Sequence, residues 1–193
     1  MRKSSCVIIG AMGFLFAAAF AFQVVAAMDE GRPERRLETI GLIAAAAGYR
    51  GMVLGQMLDI QSEGRHLQRD EVEFLHARKT GDMIQAALVS GALIAGGTKA
   101  QIEKLTAYGR AVGLAFQVVD DILNVEGDPA VMGKAAGTDR LRRKNSYPEL
   151  MGLEPSKKFA HTLAAEAVRA LAGFDAKADP LRAMAAYVVE RNK

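Results

Sequence analysis

The sequence predicts an all-α fold, and three observations support that prediction. Windows rich in alanine, leucine and methionine dominate the chain, and runs of β-branched residues are short. No segment alternates apolar and polar residues for long enough to indicate a strand. The prolines lie between stretches of helical periodicity, where they interrupt no helical hydrogen bond; they are Pro33, Pro129, Pro148, Pro155 and Pro180. We therefore expect helices and no sheet.

Two helix starts can be recognised from their capping residues. Asp70 with Glu73, and Thr98 with Gln101, have the spacing of a capping box, in which two side chains bond the free backbone groups of a first turn. Together with the apolar periodicity, these signals predict helices at 5–28, 34–60, 70–96, 98–125, 146–153, 155–174 and 179–191.

Two places interrupt this helical pattern. Gly48, Gly51 and Gly55 lie inside the second predicted helix, where they weaken it or let another helix approach closely. The connection between Asn124 and Ser146 is long and rich in glycine and charged residues, whereas the other connections are short. A long connection in a compact domain is usually functional or disordered.

Length and composition narrow the class of protein. With 193 residues, 50% of them hydrophobic, the chain can bury one core, so we expect a single domain over 1–193. The 25 basic residues nearly balance the 22 acidic ones and aromatic residues make up only 6%, which argues against nucleic-acid binding. The single cysteine, Cys6, can form no intramolecular disulfide and belongs to no zinc-ligand cluster, which favours a cytoplasmic location.

The N-terminal segment is the one part of the sequence that also fits a membrane span or an export signal. Basic residues at positions 2 and 3 are followed by an apolar run that ends near Ala27. A run of about 20 apolar residues is long enough to cross a bilayer, and the small residues before Met28 resemble the end of an export signal. A helix buried on every side in an all-α protein has the same composition. The segment alone leaves both interpretations open.

An acidic pair in the segment FQVVDDILN is the strongest indication of chemistry. In a helix, Asp120 and Asn124 stand one turn apart on the same face, with Asp121 beside them, so oxygen ligands converge. Magnesium prefers oxygen donors and usually takes one or two carboxylates together with substrate phosphate oxygens. An ordinary acidic helix end is the alternative, but adjacent carboxylates on an apolar helix are costly without a cation or water. These residues are therefore candidate Mg²⁺ ligands.

Two further groups of polar residues could contact a phosphate. In the segment HARKTGDMI, Lys79 and Thr80 are predicted in mid-helix, where the lysine can contact a diphosphate and the threonine can face a cation. The long connection carries basic residues among glycines, and these could close over phosphate oxygens. They are Lys134, Arg140, Arg142, Arg143 and Lys144. Each group alone also fits a solvated surface.

The motifs acquire more meaning when they are taken in order. GMVLGQMLDI, HARKTGDMI, GLAFQVVDDILN, GKAAGTD and KNSYPELMGLE resemble the C-terminal part of bacterial farnesyl and geranylgeranyl diphosphate synthases, and the resemblance runs from about residue 8 to the terminal YVVERNK. It implies the fold of the trans-isoprenyl diphosphate synthases, an all-α, isoprenoid-synthase-type helical bundle around a central cavity. In that fold the apolar N-terminus is a core helix rather than a membrane segment.

The resemblance implies a role for each matching polar residue. Asp120 and Asp121 resemble the second aspartate-rich motif of the family, which holds Mg²⁺ against an allylic diphosphate. Asn124 replaces the last aspartate of that motif, which keeps an oxygen and loses a charge. Diphosphate contacts are implied for Lys79, Lys134 and Lys144.

Other residues are matched to the organic part of the substrates. Thr80 and Gln117 resemble groups that stabilise the allylic carbocation, and Phe116 resembles a wall residue near the homoallylic substrate. Gln56 and Asp59 match a family helix that faces the cavity, although packing or a hydrogen bond between helices explains them equally well.

The activity that the resemblance implies is the condensation of isopentenyl diphosphate with an allylic diphosphate to a trans-prenyl diphosphate of the farnesyl or geranylgeranyl type. A homodimer is expected from the same family. The first aspartate-rich motif should precede the first helix and does not occur in the sequence, so we expect an N-terminally truncated domain with impaired activity. The alternative is a non-catalytic helical subunit, or a degenerate fragment, that binds a prenyl diphosphate or a full-length synthase.

Overall fold

The computed structural model describes residues 17–126 and 145–191 of the chain. Helices make up most of these residues, and no strand occurs in the two described ranges. In chain order the helices are α1 (Ala17–Ala27), α2 (Pro33–Ala47), α3 (Met52–Gln61), α4 (Arg69–His76), a π-helical turn (Ala77–Gly81), α5 (Asp82–Ile94), α6 (Lys99–Glu126), α7 (Tyr147–Met151), α8 (Leu153–Ala170), a 3-10 turn (Ala176–Ala178) and α9 (Asp179–Glu190). The prediction of an all-α fold is confirmed.

The single helix predicted at 34–60 is wrong, because the structure divides it into α2 and α3. The backbone N–H of Gly48 donates to Ala44 and closes the last turn of α2, and the N–H of Gly51 bonds back to Gly48 at 3.1 Å. A Cβ at Gly51 would collide with the carbonyl group of Ala46. The chain therefore turns sharply between the two helices, at a point that only glycine can occupy without a shift of the backbone.

The two predicted helix starts have different outcomes. Thr98 and Gln101 form a reciprocal cap, in which the N–H of Thr98 donates to Gln101 Oε1 at 2.8 Å and the N–H of Gln101 donates to Thr98 Oγ1 at 3.3 Å. The predicted cap at Asp70 is wrong, because α4 begins at Arg69. There the N–H of Gln68 donates to the carboxylate of Glu71 at 2.7 Å, so the same capping chemistry operates two residues earlier.

The core lies around α6, which contacts α5, α8 and α9. Its buried apolar residues recur every three or four positions, as an amphipathic helix requires, and include Tyr108, Ala115, Val118 and Ile122. The hydroxyl of Tyr108 donates to the carbonyl oxygen of Leu181 at 2.7 Å, which fixes α9 against α6. This packing makes α6 the scaffold on which the predicted acidic motif is held.

The expectation that the apolar N-terminus is buried on every side is wrong for residues 17–27 within this chain. Along α1 only Val25 is buried, whereas Phe20 is 66% exposed. In the described ranges, one stretch is long and apolar enough to cross a membrane by length and composition alone: it is Pro33–Gln61. Such a single stretch is weak evidence, because core helices of soluble proteins pass the same test.

Candidate active site

The two carboxylates of the acidic motif lie in different surroundings on α6. The side chain of Asp120 is 40% exposed and that of Asp121 only 12%. Asp121 Oδ2 accepts a hydrogen bond from the backbone N–H of Tyr147 at 3.0 Å and lies 3.4 Å from His76 Nε2. Asp121 therefore joins α6 to α4 and α7, while Asp120 is the carboxylate with more access to a ligand.

Asp120 is paired with a residue near the C-terminus of the described chain. Arg191, just after α9, forms an ion pair with Asp120 Oδ1. The same guanidinium group donates to the carbonyl oxygen of Phe116 at 3.2 Å, and its carbon lies 4.1 Å from the centre of the Phe116 ring. Burial raises the pKa of Asp120 above 3.8, and Asp121 raises it further, whereas Arg191 and His76 lower it.

Gln117 connects the exposed carboxylate to a buried histidine. Its Oε1 lies 3.0 Å from His76 Nδ1, and its Nε2 lies 3.4 Å from Asp120 Oδ2. Both His76 and Gln117 are 8% exposed. The amide is therefore held from both sides before any ligand arrives.

Lys79 lies in the π-helical turn, where its Nζ donates to Asp59 Oδ2 on α3 at 2.7 Å. Gly55 makes this approach possible, because a Cβ there would lie 2.8 Å from the carbonyl carbon of Arg78 and closer still to the backbone of Lys79. The prediction that Gly55 permits close helix contact is thus confirmed. Thr80, in the same turn, is half-buried. π-Helical turns are rare and occur frequently at functional sites.

The structure brings some of the predicted residues together and leaves others apart. Phe116, Gln117, Asp120 and Asp121 form one connected group on α6. Asn124 lies one turn further along α6 and is half-buried. Lys79 is paired instead with Asp59 on α3. Lys134, Lys144 and the three arginines of the connection lie outside the described residues.

Three contributors to this site were not predicted from the sequence: His76, Tyr147 and Arg191. His76 and Tyr147 stack with ring centres 5.8 Å apart and an angle of 21° between the planes. A histidine and a tyrosine in helical segments carry no local signal of such a contact, and Arg191 lies 71 positions from Asp120. The one available signal was that HARKTGDMI and YVVERNK, which contain His76 and Arg191, belong to the segments that resemble the family.

A separate cavity of about 990 Å³ opens along α4, α5, α6 and α8. Charged residues of both signs line it, among them Glu73, Arg78, Asp82 and Arg110. Burial raises the pKa of Asp82 above 3.8, while the guanidinium groups of Arg78 and Arg110 lower it. The described residues that line this cavity include none of the predicted site residues, so the cavity is distinct from the group around Asp120.

The donor set suits a cation that is shared with a phosphate. Among residues 17–126 and 145–191, no three His, Cys, Asp or Glu side chains converge closely enough to hold a metal ion. Asp120 and Asp121 nevertheless offer hard oxygen donors, and Mg²⁺ is commonly held by one or two carboxylates together with substrate phosphates. The residues present therefore fit Mg²⁺ bound jointly with a diphosphate.

With this fold and site in place, comparison with known proteins gives the class. The chain belongs to the polyprenyl synthetase family, whose family model matches residues 9–178. Geranylgeranyl pyrophosphate synthase 12, chloroplastic, of Arabidopsis thaliana is 42% identical over 182 residues, which cover 92% of this chain and 51% of that protein. The chloroplastic geranylgeranyl pyrophosphate synthase of Capsicum annuum is 41% identical over 90% of this chain and 48% of its own length. The chain spans about half the length of the curated relatives it matches.

Solved structures agree on the architecture. A putative farnesyl-diphosphate synthase from Marinomonas is 35% identical, with a TM-score of 0.73, over 89% of this chain and 58% of that chain. A geranyltransferase from Helicobacter pylori, complexed with magnesium and isoprenyl diphosphate, is 31% identical, with a TM-score of 0.73, over 89% of this chain and 56% of that chain. The prediction of an isoprenoid-synthase-type helical fold is therefore confirmed.

Proposed function

We propose that this protein is a prenyltransferase that condenses isopentenyl diphosphate with an allylic diphosphate to a trans-prenyl diphosphate of the farnesyl or geranylgeranyl type. The observation that carries the proposal is the connected group Phe116, Gln117, Asp120 and Asp121 on α6, in a chain that matches the polyprenyl synthetase family over residues 9–178. No finding favours the alternative of a non-catalytic subunit or degenerate fragment. Residues 1–193 are then part of one polyprenyl synthetase domain.

The residues of this chain have separate tasks in the proposed reaction. Asp120 and Asp121, with Asn124 one turn away, would hold Mg²⁺, which when bound supplies positive charge to a diphosphate leaving group. Asp120 is the carboxylate that can turn toward a ligand, since Asp121 is fixed by the N–H of Tyr147. Lys79 adds a positive charge that can move from Asp59 to a diphosphate oxygen.

Other side chains act on the carbon skeleton. As the diphosphate leaves, positive charge develops on the allylic carbon, and the sequence match assigns its stabilisation to the oxygens of Thr80 and Gln117. The Gln117 oxygen keeps a second lone pair beside its contact with His76. Phe116 provides an apolar wall for the substrate whose double bond attacks that carbon. Lys134 and Lys144 are proposed as further diphosphate contacts on the basis of their sequence match.

A labelled condensation assay tests the proposal. Purified chain is incubated with Mg²⁺, labelled isopentenyl diphosphate and geranyl diphosphate, and the prenyl products are separated after phosphatase treatment. We expect label in a longer prenyl alcohol, with a rate that falls roughly 100-fold or more in Asp120→Asn. The matched control is Glu126→Gln, which alters an exposed carboxylate on the same helix. Absence of product from the wild-type chain, or equal rates for Asp120→Asn and wild type, would contradict the proposal.

We further propose that the protein forms a homodimer through α1, α2 and α3. Within residues 17–126 and 145–191, most exposed large hydrophobic side chains lie on or between these helices, which is typical of an interaction surface; they are Phe20, Val24, Leu37, Tyr49, Val53, Met57 and Ile60. Light scattering after size exclusion should give twice the chain mass for the wild type and for Val168→Glu, an exposed site on α8, but less for Met57→Glu. A monomeric wild type would contradict this.

A cytoplasmic location is proposed as well. The near balance of 25 basic and 22 acidic residues and the single cysteine support it. Cell fractionation with a tagged chain should recover the protein in the soluble fraction. Retention in carbonate-washed membranes would instead favour Pro33–Gln61 as a membrane span.

A further inference from the structure

We propose that His76 is a positioning residue that orients the acidic motif: one ring nitrogen hydrogen-bonds Gln117, and the ring packs beside Asp121. The proposal rests on the proposed function, in which Asp120 and Asp121 are the cation ligands. His76 itself contacts neither substrate nor cation in this assignment. Its contribution is to fix the side chains that do.

The first contact involves the amide of Gln117. His76 Nδ1 lies 3.0 Å from Gln117 Oε1, and both residues are buried. The amide nitrogen of Gln117 faces Asp120 Oδ2 at 3.4 Å, so the amide oxygen must face the histidine. Nδ1 is therefore the donor and the amide oxygen the acceptor. The histidine thus determines which end of the amide is presented to Asp120.

The second contact involves the other carboxylate. His76 Nε2 lies 3.4 Å from Asp121 Oδ2, the same oxygen that accepts the backbone N–H of Tyr147 at 3.0 Å. The Tyr147 ring stacks on the imidazole with 21° between the planes. The Tyr147 ring thus restricts the tilt of the imidazole, and the Tyr147 backbone N–H restricts the Asp121 carboxylate. Helices α4, α6 and α7 therefore meet at His76.

The position of His76 in the chain strengthens this assignment. It is the last residue of α4 and directly precedes the π-helical turn that carries Lys79 and Thr80. A displacement of His76 therefore changes the start of that turn as well as the orientation of Gln117 and Asp121. Groups that hydrogen-bond metal ligands from outside typically contribute 10- to 100-fold to metal affinity, because they fix ligand orientation.

The test measures cation affinity directly, so it does not depend on turnover. Mn²⁺ is titrated into the full chain in the presence of inorganic diphosphate, and the protein-bound ion is followed by electron paramagnetic resonance, with circular dichroism at the same temperature to verify that each variant is folded. In His76→Leu the hydrogen bond to Gln117 and the ring that stacks on Tyr147 are lost at similar bulk, and we expect Mn²⁺ affinity to fall about 10-fold. In His76→Asn a donor remains near the position of Nδ1, and we expect most of the affinity to return.

Two further variants complete the design. His161→Leu, an exposed histidine on α8, is the matched control and should bind Mn²⁺ like the wild type. If His76→Leu does not fold, His76→Gln replaces it, because its longer side chain moves the donor away from Gln117; its affinity should lie below that of His76→Asn. A folded His76→Leu or His76→Gln that binds Mn²⁺ as tightly as the wild type overturns the positioning role.

The outcome separates this inference from the proposed function. A wild-type chain that binds Mn²⁺ and depends on His76, yet forms no prenyl product, supports the positioning role and contradicts the prenyltransferase proposal. If the wild-type chain forms product and folded His76→Leu keeps the wild-type Mn²⁺ affinity, the prenyltransferase proposal is supported and the positioning role is contradicted. A wild-type chain with no measurable Mn²⁺ binding overturns the positioning role whatever the condensation assay gives.

Discussion

Arg191 forms an ion pair with Asp120, although 71 positions separate them in the chain. The guanidinium group also covers the Phe116 ring, so one side chain fixes the end of α9 against the part of α6 that carries the acidic motif. The pair places a positive charge at a carboxylate oxygen to which a divalent cation would also bind. Arg191 and the cation therefore compete for Asp120.

The competition predicts that Arg191→Gln binds divalent cations more tightly. Partly exposed ion pairs contribute up to about 1 kcal/mol, so the gain in affinity should reach about fivefold. Mn²⁺ titration of both proteins measures it. Arg191→Lys keeps the charge and should remain close to the wild type. An affinity for Arg191→Gln equal to or below that of the wild type would exclude competition.

Gly55→Ala should destabilise the fold. The new methyl group would meet the backbone of Arg78 and Lys79, so α3 must move away from the π-helical turn, and forced packing of this kind costs about 1–3 kcal/mol. Gly91→Ala on α5 is the matched control, because nothing lies within 4 Å of its Cβ, and it should stabilise by about 0.5–1 kcal/mol. Urea denaturation compares the two free energies of unfolding. Equal effects would mean that the close approach at Gly55 has no energetic consequence.

The hydroxyl of Tyr147 is buried and has no hydrogen-bond partner in the described ranges. Tyr147→Phe removes this unsatisfied group and keeps the ring, so its free energy of unfolding should equal or exceed that of the wild type by about 1 kcal/mol. Tyr147→Ala removes the ring contacts to His76 and Phe159 and should cost about 3–5 kcal/mol. A loss of more than 1 kcal/mol in Tyr147→Phe would reveal an unrecognised partner for the hydroxyl.

Asp82 should make stability fall with rising pH in the acidic range. Burial raises the pKa of its carboxyl above 3.8 in the folded state, so the folded protein holds this proton more tightly than the unfolded chain does. The stabilisation that this proton provides is lost as pH rises from 3.8 through the folded pKa. Above the folded pKa, Asp82 causes no further change in the free energy of unfolding. The free energy of unfolding of Asp82→Asn, minus that of the wild type, should therefore increase over this range.

Chemical denaturation at a series of pH values measures that difference. The ion pair to Arg78, 3.0 Å away, forms only when the Asp82 carboxyl is ionised, so its effect is already contained in the net direction of the pKa shift. A difference that decreases with pH would show that Arg78 and Arg110 outweigh burial at this carboxyl.

Local chemistry decided what could be predicted from the sequence. The cap at Thr98 and the long helix α6 depend on residues a few positions apart, and both predictions were confirmed. The acidic pair was recognisable because carboxylates on an apolar helix are unusual. The different surroundings of Asp120 and Asp121 could not be predicted, because they depend on Arg191 and Tyr147, which reach α6 only through tertiary packing.

Two errors have the same physical origin. The apolar periodicity at 34–60 continues on both sides of Gly48, so it gave no reason to end a helix there, where the chain turns. The pattern at 70–96 is equally continuous, and a π-helical turn inside it leaves no trace in hydrophobic spacing. At Gly51 the backbone folds back onto Ala46, and at Gly55 it lies against Lys79, and neither contact is visible in hydrophobic periodicity.

The π-helical turn also restricts how the gene could change. Each residue in an α-helix turns the chain by about 100°, so a change of one residue between His76 and Asp82 that the turn does not absorb would rotate α5 by about that angle relative to α4. Gly81 packs against Gly113, where a Cβ on Gly113 would lie 3.1 Å from Gly81 Cα, and this fit would be lost. Single-codon insertions and deletions that surface loops absorb should therefore be eliminated here by selection.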